Sequence, residues 1–164
     1  NFSEKTREHP LSPSRSGVER PRKPLRIEHV GPQRLAALAD FADLAFYLGS
    51  PEHKNHPNPI NGTPAALHSD KTRCPVYPAS EWCRFTTLLR HAIRHGAVAG
   101  EDGDGGPRHV WGWCDGRVFE ARRLSAPQHA YKAWFLEDHQ HPHDPKGVLE
   151  QLRKSLSTAA EPPP

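Results

Sequence analysis

Arg108-His-Val-Trp-Gly-Trp-Cys114 and Arg117-Val-Phe-Glu-Ala-Arg-Arg123, separated by Asp115-Gly116, decide how this chain folds. Both runs carry β-branched and aromatic residues, and Asp-Gly supplies the two positive-φ positions of a type I′ turn. The segment reads as a β-hairpin. A third aromatic run, His129 to Leu136, extends it to a three-stranded antiparallel sheet.

Helices flank this sheet. Gly31-Pro32 opens the first, with Leu35, Leu38, Phe41, Ala42, Ala45 and Leu48 at helical spacing and Gly49 as the stop. Ser80 is the expected N-cap of the second, whose buried stripe is Trp82, Phe85, Leu89, Ala92 and Ile93, with Gly96 closing it. Glu101 to Pro107 reads as a mobile acidic turn. Asp144-Pro145 caps a last helix with Val148, Leu149, Leu152 and Leu156 on one face. The class is α+β: two N-terminal helices joined by a long loop, a three-stranded antiparallel sheet and a C-terminal helix, with the helices on one side of the sheet.

Hydrophobic residues make up 35% of the 164, and 18 are Pro. The compact part is therefore smaller than the chain. Residues 1–26 read as a disordered, basic, Pro/Ser-rich tail, 27–158 as a single α+β domain, and 159–164 as a disordered end. The net charge is +3, and the tail, with seven basic and three acidic residues, holds all of the excess. Nucleic-acid binding must then rest on a local site or on that tail. Three Cys without a C-x-x-C pair argue against a disulfide framework and a standard zinc knuckle, and suit a reducing compartment. No apolar run approaches the ~20 residues that a membrane span needs. The reading is cytoplasmic, with no membrane, cofactor or metal implied.

The connection between the first two helices, about 50–79, is far longer than such a link requires, and long connections often carry function. It holds His53, Lys54, His56, Lys71 and Arg73. Two imidazoles can share general acid and base roles, Lys54 can stabilise a developing oxyanion, and Lys71 and Arg73 can bind a phosphate. The same residues also fit a solvated loop whose histidines cap backbone groups.

Other patterns read more plainly. His139-x-His141-x-His143 would form a zinc face on a strand, but Pro142 and Asp144 mark a loop leading to a helix cap. Cys74 follows Arg73, a cationic neighbour able to lower a thiol pKa, yet a lone Cys is more often small core filling. The aromatics of the sheet read as core. With period two, Arg117 and Arg123 share a face with Phe119, and Arg122 shares the other with Glu120. An uncovered face would make a cationic surface able to grip phosphate.

Gly49-Ser50-Pro51-x-His53-Lys54-x-x-Pro57, Lys71-Thr72-x-Cys74 and Val110-Trp111…Asp115-Gly116-x-x-Phe119-Glu120-Ala121 resemble a group of small, uncharacterised bacterial proteins over about 46–136. In that group the hairpin is followed by Tyr-His-Gly-Tyr-Pro, where this chain reads Tyr131-Lys132-Ala133-Trp134-Phe135, so any role of that His would fall to Lys132. The order of elements is also similar in architecture to ribonuclease toxins of the barnase, colicin and RelE type.

Two expectations follow. The first is a bacterial protein directed at RNA or another phosphate-bearing ligand, a metal-independent, toxin-like endoribonuclease. In it His53, His56 and Lys54 are catalytic, and Lys71, Arg73, Arg122 and Lys132 bind substrate. The second is a non-catalytic subunit of a defence or regulatory complex that binds nucleic acid or a protein partner, an antitoxin or immunity protein among them.

Overall fold

The computed structural model describes residues 25–49 and 79–159. Helix α1 spans Pro32–Leu44, with Pro at its first turn and Leu38, Phe41 and Ala42 buried. It stops earlier than the apolar spacing suggests. Ala45 turns extended, and Phe46–Tyr47 form a short strand, β1, where helix was expected. The cause is pairing: β1 runs parallel to β5 (Ala130–Phe135), Phe46 N–H donating to His129 O at 3.1 Å and Leu48 N–H to Tyr131 O at 2.8 Å. Tyr47 is buried between Trp82 and Phe85, which adds a tertiary reason.

A single 3₁₀ turn, Ala79–Glu81, leads into α2, Trp82–Arg94. Ser80 thus sits in the turn and does not cap the helix. The buried stripe is Phe85, Leu89, Ala92 and Ile93, and Gly96 closes the helix at φ 71°, a conformation that glycine adopts freely.

Val98–Glu101 is a further strand, β2, antiparallel to β3 (Pro107–Cys114). It escapes a sequence reading because Val-Ala-Gly-Glu has weak strand character. Asp102–Gly106 is then the β2–β3 hairpin loop, and it is tied down: Asp102 N–H donates to Gly106 O, and Arg34 Nη1 reaches Gly105 O at 2.7 Å. The expected hairpin is present. β3 pairs with β4, Arg117–Arg123, across Asp115 (φ 51°) and Gly116 (φ 73°), as a type I′ turn demands.

The sheet therefore has five strands in the order β1-β5-β4-β3-β2, and it is mixed because β1 is parallel to β5. The expectation of three antiparallel strands is corrected at both edges, each by a short strand that only tertiary pairing creates. Helix α3, Val148–Ala159, is capped by Asp144, whose carboxylate accepts Val148 and Leu149 N–H at 2.9 and 2.8 Å. No helix among the described residues is long and apolar enough to cross a membrane.

Helices α1 and α2 cover the near face of the sheet. A Cβ on Gly112 would come within 3.3 Å of Ala92, and the Arg123 guanidinium lies 5.1 Å from the Phe41 ring centroid. Val110, Phe119, Ala121, Tyr131, Ala133 and Phe135 fill this face. The Tyr131 hydroxyl donates to Pro107 O at 2.6 Å, which satisfies a polar group inside the core. Helix α3 lies against the far face where Trp113 Nε1 donates to Leu149 O at 2.8 Å, and Trp111 and Val118 on this face are buried.

Gly112 marks the tightest approach of sheet, Phe119 ring and helix. Its added Cβ would stand 2.5 Å from Phe119 Cζ. Gly112→Ala is expected to lower stability by about 1–3 kcal/mol through overpacking, read by urea unfolding. An unchanged unfolding midpoint would show that α2 is not seated on this face.

Candidate functional site on the far sheet face

Antiparallel register places directly opposed residues on the same face. His109 pairs with Arg122, and Arg122 with Lys132, which lines up three basic side chains across β3, β4 and β5. The adjacent row is Trp111, Glu120 and Trp134, by the same pairings. All six point away from α1 and α2. Arg122 shares its face with Glu120, as period two predicts, whereas Arg117 and Arg123 point to the near side and stack on Phe135 and Phe41.

Glu120 alone among the described polar and charged residues is buried. Trp111 and Trp134 flank it across the neighbouring strands, which removes water from the carboxylate. Such a charge persists only if it is paired and hydrogen-bonded. Glu120 Oε1 meets both needs, with His109 Nδ1 at 3.0 Å and Arg122 Nη2 at 3.4 Å. An ionised carboxylate only accepts, so Nδ1 carries the hydrogen and a neutral His109 keeps a bare lone pair on Nε2.

The cations are held in place by the aromatic rings around them. The His109 ring stacks parallel to Trp111 at 5.9 Å and 12°, which fixes its plane. The Arg122 guanidinium lies 5.2 Å from the Trp134 ring centroid. Arg122 Nε has no hydrogen-bond partner among the described residues, and a guanidinium has five N–H groups to satisfy. His109, Glu120 and Arg122 side chains are 19%, 11% and 42% exposed, so the carboxylate is the floor of the site and Arg122 its rim. Lys132 and Trp134 are half-buried beside it.

His53, Lys54, His56, Lys71, Arg73 and Cys74, the polar-loop candidates, lie outside the described residues, as do the 1–24 part of the basic tail and 160–164. Of the expected substrate-binding residues, the structure brings Arg122 and Lys132 together as register partners. It adds His109, which sequence reasoning missed, and Glu120, which it placed on the Arg122 face without a role. Counting outward from Asp115-Gly116 would have found them, since that turn alone puts Trp111 opposite Glu120 and His109 opposite Arg122. His139 sits in the 3₁₀ turn Asp138–Gln140, and His143 bridges to Arg26, so the three His do not form a zinc face. Among the described residues no group of three or more His, Cys, Asp and Glu side chains is placed to hold a metal ion.

Two other polar regions are self-satisfied. A groove of about 960 Å³ between the β3–β4 turn and α3 is lined by Arg84, Leu88, Trp113, Asp115, Glu150 and Arg153. Its charges pair with each other, Arg84 with Asp115 and Arg153 with Glu150. At the β2–β3 loop, Arg123 is 9% exposed and forks onto Asp104, with Asp102 also in reach. The hydrogen bond from Arg123 is the main reason that the Asp104 carboxyl is held well below the usual carboxylate range.

That pair carries a pH signature. The folded-state pKa lies below the unperturbed 3.8, so its stabilisation is present above that value and lost as pH falls through the folded one. Asp104→Asn is expected to be less stable than the wild type at pH 7, with the gap closing in acid below 3.8, by urea unfolding at several pH values. A gap that is constant with pH would contradict the pairing. Among known proteins, no family model, no curated protein and no solved structure matches this chain.

Proposed function

We propose that the protein binds single-stranded RNA, or a ligand with the same phosphate and base chemistry, on the far face of its sheet. The observation that carries this reading is the row His109–Arg122–Lys132 laid beside the row Trp111–Glu120–Trp134. Arg122, with its side chain 42% exposed, puts a guanidinium at the rim of the site, and Lys132 is its register partner on the next strand. The planar Arg122 guanidinium, partly exposed at the rim, suits contact with phosphate oxygens. Trp134, half-buried on the same face, offers a ring on which a splayed base can stack.

Single-stranded RNA fits better than a duplex. Stacking needs unpaired bases, and a sheet face engages a flexible strand without entering a groove. Outside this site the charge of the described domain is close to balanced, so the affinity has to come from these side chains or from the N-terminal tail. The catalytic role expected for His53, His56 and Lys54 and the phosphate contacts expected for Lys71 and Arg73 concern residues outside the described region.

Fluorescence anisotropy with a labelled, mixed-sequence single-stranded RNA at several salt concentrations separates these sources. Arg122→Ala is expected to weaken binding and to reduce the slope of log K against log salt by about 0.7, one phosphate contact on a single strand. Trp134→Ala is expected to cost about 1–3 kcal/mol of affinity, the worth of one stacked base. Arg94→Ala on α2, whose side chain pairs with Asp43, should bind as the wild type does. If Arg122→Ala and Trp134→Ala both keep wild-type affinity and salt slope while deletion of residues 1–26 abolishes binding, the face is not the site.

A further inference from the structure

We infer that this face is catalytic as well as adhesive: His109 is the proton-transfer residue of a metal-independent RNA transesterification, and Glu120 is the residue that positions it. The inference rests on the RNA-binding reading above and adds a reaction to it. Two observations lead to it. The hydrogen bond from His109 Nδ1 to the buried Glu120 carboxylate, at 3.0 Å, selects the tautomer that leaves Nε2 able to take a proton. The imidazole also stands next to Arg122 in the row that would hold the phosphate, and Arg122 next to Lys132.

This combination exceeds what packing requires. A buried carboxylate joined to His and Arg contributes little net stability compared with apolar residues of similar volume. An imidazole with one nitrogen anchored to a carboxylate and its plane fixed by an aromatic ring is the arrangement of an oriented general base.

The step balances without a further reactant. His109 Nε2 takes the proton of a ribose 2′-hydroxyl as O2′ forms a bond to the adjacent phosphorus. The P–O5′ bond then breaks, and the imidazolium returns the same proton to O5′. The products are a 2′,3′-cyclic phosphate and a free 5′-hydroxyl, with no water, metal or redox partner consumed. Arg122 and Lys132 stabilise the extra negative charge on the five-coordinate phosphorus. Glu120 gains or loses no proton; it holds the imidazole and stabilises its charged form.

The test uses total RNA and tRNA in EDTA, with binding measured in the same buffers. Wild type is expected to produce fragments with 2′,3′-cyclic phosphate ends. His109→Ala should cleave saturating RNA about 10²–10⁴-fold more slowly, the usual worth of a general acid–base residue. Glu120→Leu should lower kcat with little change in KM, and Glu120→Gln, which keeps an acceptor for Nδ1–H, should recover much of it. Long-range ¹H–¹⁵N NMR of the free protein gives a readout apart from turnover. Neutral His109 should carry its proton on Nδ1 in the wild type and in Glu120→Gln, and shift toward Nε2 in Glu120→Leu. Saturable binding with no cleavage by the wild type overturns the catalytic inference and leaves the binding reading standing; absence of binding overturns both. A wild-type proton on Nε2 removes the positioning role of Glu120.

Discussion

The register of β4 between β3 and β5 is the constraint on which the rest depends. Residues alternate faces along a strand, so a slip of one position would exchange the two sides of the sheet. Arg122 would then point into the helices, and Phe119 and Ala121 into water. The register is pinned by the two-residue turn, where Asp115 and Gly116 both take positive φ, and by the apolar residues that must meet α2. The same constraint that closes the core therefore assembles His109, Arg122 and Lys132 in a line. The site follows from folding the core correctly.

The two faces solve the problem of buried charge differently. On the near face Arg123 is almost covered, and the β2–β3 loop provides Asp104 and Asp102 to neutralise it, with the Phe41 ring beneath the guanidinium. Every charge there is matched within the fold. On the far face Glu120 is buried between tryptophans and matched by His109 and Arg122, and the Arg122 side chain reaches the rim at 42% exposure.

Much of this was legible in the sequence, for reasons that were local. Asp115-Gly116 between aromatic strands specified the central hairpin, Pro32 opened α1, and Asp144 capped α3, each through a short-range backbone preference. Period two assigned Arg122 and Glu120 to one face and Arg117 and Arg123 to the other. What escaped was tertiary. Phe46–Tyr47 continue the apolar spacing of α1 and become a strand only because β5 offers an edge. Val98–Glu101 is too small and too short to read as a strand until β3 lies beside it. His109 was passed over, and Glu120 was placed on the Arg122 face and in the hairpin motif without being given a role. Their meaning arises only from pairing, and the concentration of His and Lys in the polar connection outweighed it.

The most direct measurement of the central claim is a chemical-shift map of the ¹⁵N-labelled protein titrated with a short single-stranded RNA. The account predicts that perturbations concentrate on His109, Arg122, Lys132 and the Trp134 indole, across three strands of one face. Perturbations confined to α1, α2 and the near-face strand residues, with these four side chains unmoved at saturation, would contradict it.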